Sequence, residues 1–448
     1  MPKGVWQWAV QFSGAFEMRV LVLGAYGLIG QAIVRELLGR DDLVVGLARD
    51  VERGRKLVPN IDWVFGDLNL LVREEDWLPL LDDVDAVVNA SGALQSGLKD
   101  NLAQVQRDSI IALIAACERS RLKGFVQVSA PGADARAETE FLRTKGQADE
   151  AVRASQLDWV ILKPGLVISQ TAYGGTSLVR MLAAFPFVQP IALPDARLQT
   201  VDVEDVARAV ASALDDPRLV RKDFDLVAPE AETLQEIVLA FRDWLGFSKP
   251  AAIWRLPDWL AGMVGRVADF SGLLGWRSPL RTTALRVLTE DVVGDADPWR
   301  RATGRIFKTL RETLRDLPST RQERNFARTQ LVFPVLVVTY AAFWIASGLI
   351  GLWQIDSATM IVSKALGEAG ARWSVLAGSL ADILVGIGLC FRRTFVPACQ
   401  AAIAVCAFYL LAGSVFTPSL WADPLGPFVK VLPAVALSIA LIAMAEER

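Results

Sequence analysis

The chain has 448 residues, 52% of them hydrophobic, and its 47 lysines and arginines against 50 aspartates and glutamates leave a formal charge of −3. It contains no histidine, which excludes Ser-His-Asp and Cys-His nucleophiles and every metal or haem site that needs a histidine ligand. The four cysteines form no CxxC pair, and the near-neutral charge argues against nucleic acid as the main partner.

Residues 1–17 lack the apolar stretch and cleavage site of a signal peptide, so we expect a flexible extension, unless the protein starts at Met18. From there to residue 232, strand-like apolar stretches alternate with stretches of helical periodicity. The predicted strands are Arg19–Leu23, Leu43–Leu47, Trp63–Phe65, Ala86–Asn89, Gly124–Val128 and Trp159–Leu162, and the main predicted helices are Gly27–Leu38, Ile110–Arg119 and Thr139–Ala154. This alternation predicts an α/β doubly wound parallel sheet, a Rossmann domain, over residues 18–232.

The turn after the first predicted strand is rich in glycine and opens a helix, with the sequence Gly24-Ala25-Tyr26-Gly27-Leu28-Ile29-Gly30. This is the context of a dinucleotide-binding fingerprint: Gly24 permits the tight turn, Gly27 lets a pyrophosphate approach, and Gly30 lets helix pack on strand. The phosphates would bind at the helix N-terminus, where free N–H groups and the dipole favour anions. Tyr26, Leu28 and Ile29 belong to the same predicted cofactor site, where Tyr26 packs against cofactor or protein.

The end of the second predicted strand carries the residues that choose between NAD and NADP. An NAD-specific site places an acid here to accept hydrogen bonds from the ribose hydroxyls. In this chain Arg49 comes first, with Arg53 and Arg55 close behind, and an arginine can pair with a 2′-phosphate. The pattern favours NADP, while Asp50 keeps NAD possible and a plain surface arginine is the alternative for Arg49.

Two later turns add weaker signals. After the third strand, Asp67 could accept a hydrogen bond from an adenine amino group, with Leu68 beside it. After the fourth, Ala90, Ser91 and Gly92 are small enough to lie against a cofactor. An ordinary turn explains each segment equally well, so the two segments support a cofactor site only in combination with the glycine loop.

Residues 233–328 are predicted to form a helical substrate subdomain and a linker. Within them, Ala251–Trp276 is rich in large apolar residues, among them Trp254, Trp259 and Phe270. We expect this stretch to form the core of the substrate subdomain. The alternatives are the lining of an apolar pocket or a segment that rests on a bilayer.

The last part, residues 329–448, holds 12 charged residues and predicts an all-α four-helix transmembrane bundle. Its spans are predicted at Gln330–Trp353, Trp373–Phe391, Thr394–Phe416 and Pro427–Ala445. Asp382 lies within the second span, where a carboxylate is costly. It therefore either serves a site or makes a structural hydrogen bond inside the bundle.

Arginines at the ends of the spans predict the orientation in a bacterial-type inner membrane. They precede the first span and fill the turn between the second and third, at Arg321, Arg324, Arg328, Arg392 and Arg393. By the positive-inside rule, this side, both termini and the Rossmann domain are cytoplasmic. Loops around Asp356–Arg372 and Thr417–Gly426 then lie on the opposite side.

Four segments resemble atypical short-chain dehydrogenase/reductases: Gly24–Gly30, Gly66–Leu68, Val128–Ala130 and Leu157–Gly165. Within that family, the chain is most similar to the branch of the NADPH-binding accessory subunit of mitochondrial complex I, as Val201–Ala207 also indicates. The tail resembles DoxX-like membrane proteins at Phe343–Leu349 and Ala381–Gly386. The first resemblance covers about residues 18–315 and implies that Pro164 contacts the cofactor.

The resemblance also implies the catalytic residues. Dehydrogenases of this family use serine, tyrosine and lysine, and Ser129 and Lys145 match the serine and the lysine. The tyrosine position is Phe141, which has no proton to give, and loss of a general acid costs about 10²- to 10⁴-fold. Lys145 can still hold ribose hydroxyls. Tyr173, after the sixth strand, is the candidate replacement acid or else a plain loop aromatic.

Three functions remain open from the sequence. The first is a membrane-anchored NADP(H)-binding protein with weak or absent dehydrogenase chemistry. The second is an NADPH-dependent reductase of a lipophilic small molecule such as a quinone or an isoprenoid. The third is an assembly or scaffold protein of a membrane protein complex, in which the bundle carries the function.

Overall fold

The computed structural model describes residues 18–92, 101–122, 124–276, 280, 282, 291–424 and 426–445. The predicted flexible extension, residues 1–17, lies outside them. The chain divides into two compact units, the first comprising residues 1–176, 194–237 and 286–318, and the second residues 177–193, 238–285 and 319–448. The domain boundaries predicted at residues 232 and 328 stay predictions.

The strands in chain order are β1 Arg19–Leu23, β2 Leu43–Ala48, β3 Asp62–Phe65, β4 Ala86–Asn89, β5 Gly124–Val128, β6 Trp159–Pro164, β7 Leu166–Ile168, β8 Val188–Ala192, β9 Arg197–Leu198, β10 Thr200–Asp202, β11 Lys222–Leu226, β12 Glu232–Thr233 and β13 Ala252–Leu256. In the first unit, seven of them form a parallel sheet in the order β11-β6-β5-β4-β1-β2-β3. The chain runs outward from β1 in both directions, which is Rossmann topology and confirms the predicted parallel sheet.

The helices in chain order are α1 Leu28–Leu38, α2 Val51–Leu57, α3 Glu74–Trp77, α4 Ser109–Ser120, α5 Glu140–Ala154, α6 Gly175–Ala183, α7 Val203–Asp215, α8 Leu234–Trp244, α9 Asp258–Leu273, α10 Asp297–Thr303, α11 Leu310–Asp316, α12 Arg321–Trp353, α13 Ile355–Cys390, α14 Phe395–Phe416 and α15 Val431–Ala445. A π-helical turn, Gln104–Asp108, leads into α4. These bounds extend or trim the predicted helices by one or two residues in the Rossmann part.

Helices cover both faces of the large sheet, because the side chains on both faces of its central strands are apolar. On β1, Val20 and Val22 face one buried cluster, to which α1 and α7 contribute. Leu21 and Leu23 face the other cluster, to which α4 and α5 contribute. This three-layer arrangement buries the central strands and leaves the carboxyl ends of the strands as one edge where loops meet.

In the second unit, α12, α13 and α14 are each long and apolar enough to cross a membrane. The fourth apolar helix, α15, has 15 residues, or about 22 Å, which is shorter than a typical hydrocarbon core. The predicted four spans and their orientation therefore remain a prediction. Helices α12 and α13 pack closely at two glycines, since a Cβ on Gly348 would lie 2.4 Å from the carbonyl oxygen of Ser379, and one on Gly386 2.9 Å from the amide nitrogen of Ile345.

Two expectations need correction. The segment around Asp356–Arg372, expected as a loop, is helical within α13, and Gly367 breaks the helix with a φ of 70°. Hydropathy marks only the apolar part of a helix, so it gave Trp373 as the start of the second span, although the helical segment begins at Ile355. The stretch Ala251–Trp276, expected as a subdomain core, leaves three of its large aromatic side chains exposed: Trp254, Trp259 and Phe270 are 57%, 70% and 62% exposed, while Trp276 is partly buried.

Candidate functional site

The glycine turn and the turn after β4 meet where the strand order reverses. Gly24 has a φ of +74°, a conformation that side chains disfavour, and a Cβ on it would lie 2.7 Å from the carbonyl oxygen of Ala90. A Cβ on Gly30 would lie 2.1 Å from the carbonyl oxygen of Gly24. Both positions therefore require glycine on steric grounds.

Gly27 is the N-cap of α1. It has no side chain, and the structure gives α1 no side-chain cap within the described residues. The amides of Leu28, Ile29 and Gly30 form the first turn, whose N–H groups lie beyond the reach of the helix's own carbonyls. An uncapped turn of this kind beside a glycine cradle fits the pyrophosphate of a dinucleotide.

Tyr26 packs inside the protein on one side. Its ring centroid lies 5.8 Å from that of Trp63 on β3, and the residue is partly buried. Trp63 in turn fills the space that glycines at 46 and 54 leave, since a Cβ on Gly46 would lie 2.6 Å from the indole. The aromatic pair thus packs Tyr26 of the glycine turn against β3.

Arg49 and Asp50 follow one another at the end of β2, and both are exposed. Asp50 is the N-cap of α2, where its carboxylate accepts a hydrogen bond from the amide of Arg53 at 2.9 Å. One oxygen of the Asp50 carboxylate thus caps its own helix, and this geometry does not distinguish NAD from NADP.

The two weaker turns are structured by hydrogen bonds within them. Asp67 accepts from both the backbone and the side-chain nitrogen of Asn69, at 3.0 and 2.9 Å, while Leu68 packs against the core. The hydroxyl of Ser91 donates to Oδ1 of Asn89 at 2.5 Å. Asp67 therefore fits the plain-turn alternative at least as well as a contact with adenine.

A buried polar network runs from this turn into the sheet. Nδ2 of Asn89 donates to Gln127 on β5 at 2.9 Å, and Gln127 reaches Asp149 on α5 at 3.5 Å. Ser129 Oγ donates to Oδ2 of the same Asp149 at 2.5 Å. The serine predicted to be catalytic thus has a buried carboxyl group as its partner.

Lys145 lies one helical turn before Asp149 and is 6% exposed. Its Nζ donates to the carbonyl oxygen of Val128 at 3.0 Å and would lie 3.7 Å from a Cβ on Gly92. The same Nζ is 5.9 Å from the ring centroid of Phe141. Ser129, Phe141, Lys145 and the small turn after β4 are therefore brought together as the resemblance implies.

Burial shapes the protonation of the two charged groups in this network. It lowers the pKa of Lys145, an effect that the nearby Asp149 carboxylate partly offsets. It raises the pKa of Asp149, and the hydrogen bond from Ser129 and the positive charge of Lys145 oppose that rise. Asp149 is accordingly poised to hold a proton more readily than a surface aspartate does.

The remaining predicted residues lie apart from this network or at its border. Pro164 ends β6 and is buried. Tyr173 is 64% exposed in the segment before α6, and its backbone exchanges hydrogen bonds with the hydroxyl of Thr176. Nothing in the described contacts joins the phenol of Tyr173 to Ser129 or Lys145, so its catalytic role stays a prediction.

Asp382 is bound within the helices of the second unit. Its carboxylate accepts a hydrogen bond from Ser347 on α12 at 2.7 Å and from Tyr409 on α14 at 2.8 Å. Both oxygens therefore have donors from neighbouring helices. This arrangement agrees with the structural alternative given above.

Two members of this network, Gln127 and Asp149, were not predicted from the sequence, whereas Asn89 begins the predicted turn Asn89–Gly92. Two signals were available. Gln127 is a polar residue inside an otherwise apolar buried strand, and Asp149 follows Lys145 at the four-residue spacing that puts both on one helical face.

Comparison with known proteins agrees with this geometry. A family model described as NAD(P)H-binding matches residues 24–217, and one described as the DoxX-like family matches residues 341–439. A UPF0659 protein of Saccharomyces cerevisiae is 30% identical over 223 residues, which are 47% of this chain and 93% of the yeast protein. The mitochondrial NADH dehydrogenase (ubiquinone) 1 alpha subcomplex subunit 9 of Arabidopsis thaliana is 26% identical over 236 residues, which are 50% of this chain and 57% of the plant protein.

Among solved structures, the Bordetella bronchiseptica enzyme WbmH in complex with NAD+ has a similar fold. It is 18% identical, with a TM-score of 0.50, and the match covers 67% of this chain and 96% of WbmH. At this identity the likeness shows the fold and leaves substrate and activity open.

Proposed function

The chain belongs to the NAD(P)H-binding family of atypical short-chain dehydrogenase/reductases and carries a DoxX-like domain, and from this premise we propose that it is a membrane-anchored NADP(H)-binding protein with weak or absent dehydrogenase chemistry. In this proposal, the glycine turn and the first turn of α1 hold the pyrophosphate, and Lys145 holds ribose hydroxyls. In the same proposal, the protein is anchored in a bacterial-type inner membrane with the Rossmann domain in the cytoplasm, which the apolar helices of the second unit support.

The observation that carries the proposal is the residue at position 141. In this proposal, Phe141 on α5 takes the position from which a tyrosine would act, and what supports it is the location of Phe141 one turn before the buried Lys145. A phenyl ring can neither donate nor accept the proton that carbonyl chemistry requires. The nucleotide cradle is meanwhile complete in its glycines, so binding is retained where proton transfer is lost.

The direct test uses the full chain in detergent or lipid nanodiscs. We expect NADPH to bind with a dissociation constant in the micromolar range or below, while its oxidation by a short-chain quinone or an apolar aldehyde stays close to the rate without protein. Isothermal titration and the absorbance of NADPH measure the two quantities separately. Absence of NADPH binding would contradict the proposal.

The preference for NADP has its own test at Arg49. Replacing Arg49 with glutamate is expected to weaken NADPH binding by about tenfold or more, because a charge-assisted hydrogen bond to a phosphate contributes roughly 1.5–3 kcal/mol. NADH binding should change much less. Lys222→Glu, the same charge change at the opposite edge of the sheet, is the matched control. Equal losses for NADPH and NADH would show that Arg49 does not read the 2′-phosphate.

One observation favours the second function, an active reductase of a lipophilic substrate. The Ser129–Asp149 pair offers a proton route that needs no tyrosine. The bound cofactor would supply a hydride to the substrate. For Ser129 to give its proton to the substrate oxygen and regain one, Asp149 would first have to be protonated, the state that its burial favours; the hydrogen bond between them would then reverse, with Asp149 as the donor.

The assay described above separates the two functions. Clear NADPH oxidation that is lost in Ser129→Ala, with NADPH binding intact, would favour the reductase. Turnover that survives both Lys145→Ala and Gly27→Asp would exclude it, because neither the nucleotide site nor the lysine would then be used. No contact in the described residues bears on the third function, a scaffold for a membrane complex.

A further inference from the structure

The helix α9, Asp258–Leu273, presents an apolar face to its surroundings. Its exposed large residues fall on one side at helical spacing: Trp259, Met263, Val267, Phe270 and Leu273 are 70%, 49%, 65%, 62% and 72% exposed. Exposed apolar patches of this kind mark interaction sites rather than ordinary surface. We therefore expect the face to contact something that the described part of the chain does not provide.

The opposite side of α9 is built for contact with protein. Ala261, Gly265 and Ala268 are its buried residues. Small residues let a helix lie close to its support, while the large ones point away. The distribution is the reverse of that in an ordinary surface helix, whose large apolar residues face the core.

The C-terminal end of α9 is fixed to the membrane helices of the same unit. The indole nitrogen of Trp276 donates to the carbonyl oxygen of Cys390 at 2.7 Å, and its ring contacts those of Phe333 and Phe395. The amide of Arg392 donates to the carbonyl oxygen of Leu274 at 3.0 Å. Helix α9 therefore ends beside the turn between α13 and α14.

That turn marks a membrane boundary. It separates two apolar helices that are each long enough to cross a bilayer, and it carries Arg392 and Arg393. Arginines at the end of a span lie at the level of the lipid headgroups. Because α9 ends beside this turn, its C-terminal end is expected at the interface between headgroups and acyl chains.

We propose that α9 lies in the bilayer interface, with the face formed by Trp259, Met263, Val267, Phe270 and Leu273 inserted among the lipids of the leaflet next to Arg392 and Arg393. The inference rests on the membrane placement of the proposed function and extends it to a segment that crosses no membrane. Tryptophan and phenylalanine are the residues that interfacial helices bury in this region.

One cation distinguishes lipid from a second copy of the chain as the occupant. Arg266 lies on the exposed face, between Leu273 and Trp259 around the helix, and is itself exposed. In a leaflet its long side chain can extend to the phosphates while its methylene groups stay among the acyl chains. In a symmetric contact between two copies, the two Arg266 charges would be buried together without a counter-charge from this face.

The test places spin labels on single added cysteines of the full chain in nanodiscs that contain anionic lipid. Met263→Cys and Phe270→Cys probe the face, and Asp258→Cys, exposed on the same helix outside the face, is the matched aqueous control. Leu384→Cys, 59% exposed on α13, is the control for lipid. Chain without an added cysteine gives the background, since Cys117, Cys399 and Cys406 are buried and Cys390 is partly buried.

We expect the labels at 263 and 270 to collide with a water-soluble nickel relaxant at least about threefold less often than the label at 258, and with oxygen as often as the label at 384. Water-like values at 263 and 270, with a lipid-like value at 384, would overturn the inference and leave the membrane placement intact. Dipolar coupling between labels at 263 on two chains would assign the face to a second copy. A water-like value at 384 would refute the membrane placement itself, and the inference with it.

Discussion

Replacing Phe141 with tyrosine is expected to raise the rate of NADPH-dependent carbonyl reduction by about 10²- to 10⁴-fold, the contribution of a positioned general acid. The added hydroxyl would sit at the tip of a ring whose centroid is already 5.9 Å from Lys145 Nζ. A cation at that distance favours the phenolate and so eases proton transfer. The rate of NADPH oxidation with a panel of apolar aldehydes and ketones measures the gain.

Phe141→Leu is the control, because it changes the ring without supplying a proton. It should leave both NADPH binding and the low background rate unchanged. If Phe141→Tyr binds NADPH normally and still reduces nothing in the panel, the missing hydroxyl is not what limits this protein. The site would then not hold a carbonyl substrate in a reactive position. Such a result would support a binding or signalling role.

Replacing Gly27 with aspartate is expected to weaken NADPH binding by about 100-fold or more. The new carboxylate would stand at the N-terminus of α1, where the pyrophosphate is proposed to lie, and two like charges about 4 Å apart repel by roughly 4 kcal/mol near a protein surface. Gly27 has an ordinary φ of −73°, and the nearest atom to a Cβ there is the carbonyl oxygen of Gly24 at 3.0 Å. The backbone can therefore accept a side chain after a small shift.

Gly27→Asn is the matched control, since it has nearly the same shape and no charge. Asparagine should bind NADPH much more tightly than aspartate, and the difference isolates the electrostatic part. Aspartate at an N-cap stabilises a helix, so the melting temperature of Gly27→Asp should not fall below that of Gly27→Asn. Equal binding by the two variants would place the phosphates elsewhere.

The sequence predicts the parallel sheet and the cofactor edge well, because both depend on local patterns. Strands buried on both faces are continuous apolar runs, and Gly24, Gly27 and Gly30 fall within seven residues at the spacing of a dinucleotide-binding fingerprint. The order of the strands and the meeting of the glycine turn with Ala90 then follow from topology. No comparable local pattern marks the polar network.

Asp149 shows why part of the site escapes such prediction. Its contacts with Ser129 and Gln127 join residues 20 and 22 positions away in the chain, on a different element. An aspartate in a polar helix is ordinarily a solvent-facing residue, and its burial becomes visible only after the sheet is assembled. The exposed face of α9 has the same origin, since an apolar residue in a sequence does not reveal whether protein or lipid will cover it.

The hydrogen bonds of Asp382 have a consequence for how the helices of the second unit find one another. Apolar surfaces in a bilayer slide and rotate at little cost, because lipid replaces each lost contact. A carboxylate inside a span cannot exchange its contacts in this way, because it needs hydrogen-bond donors that lipid does not offer. Ser347 and Tyr409 satisfy Asp382 only when α12, α13 and α14 share one rotation and one depth. These three polar groups therefore fix the rotation and the depth of α12, α13 and α14 relative to one another, which apolar packing alone would leave free.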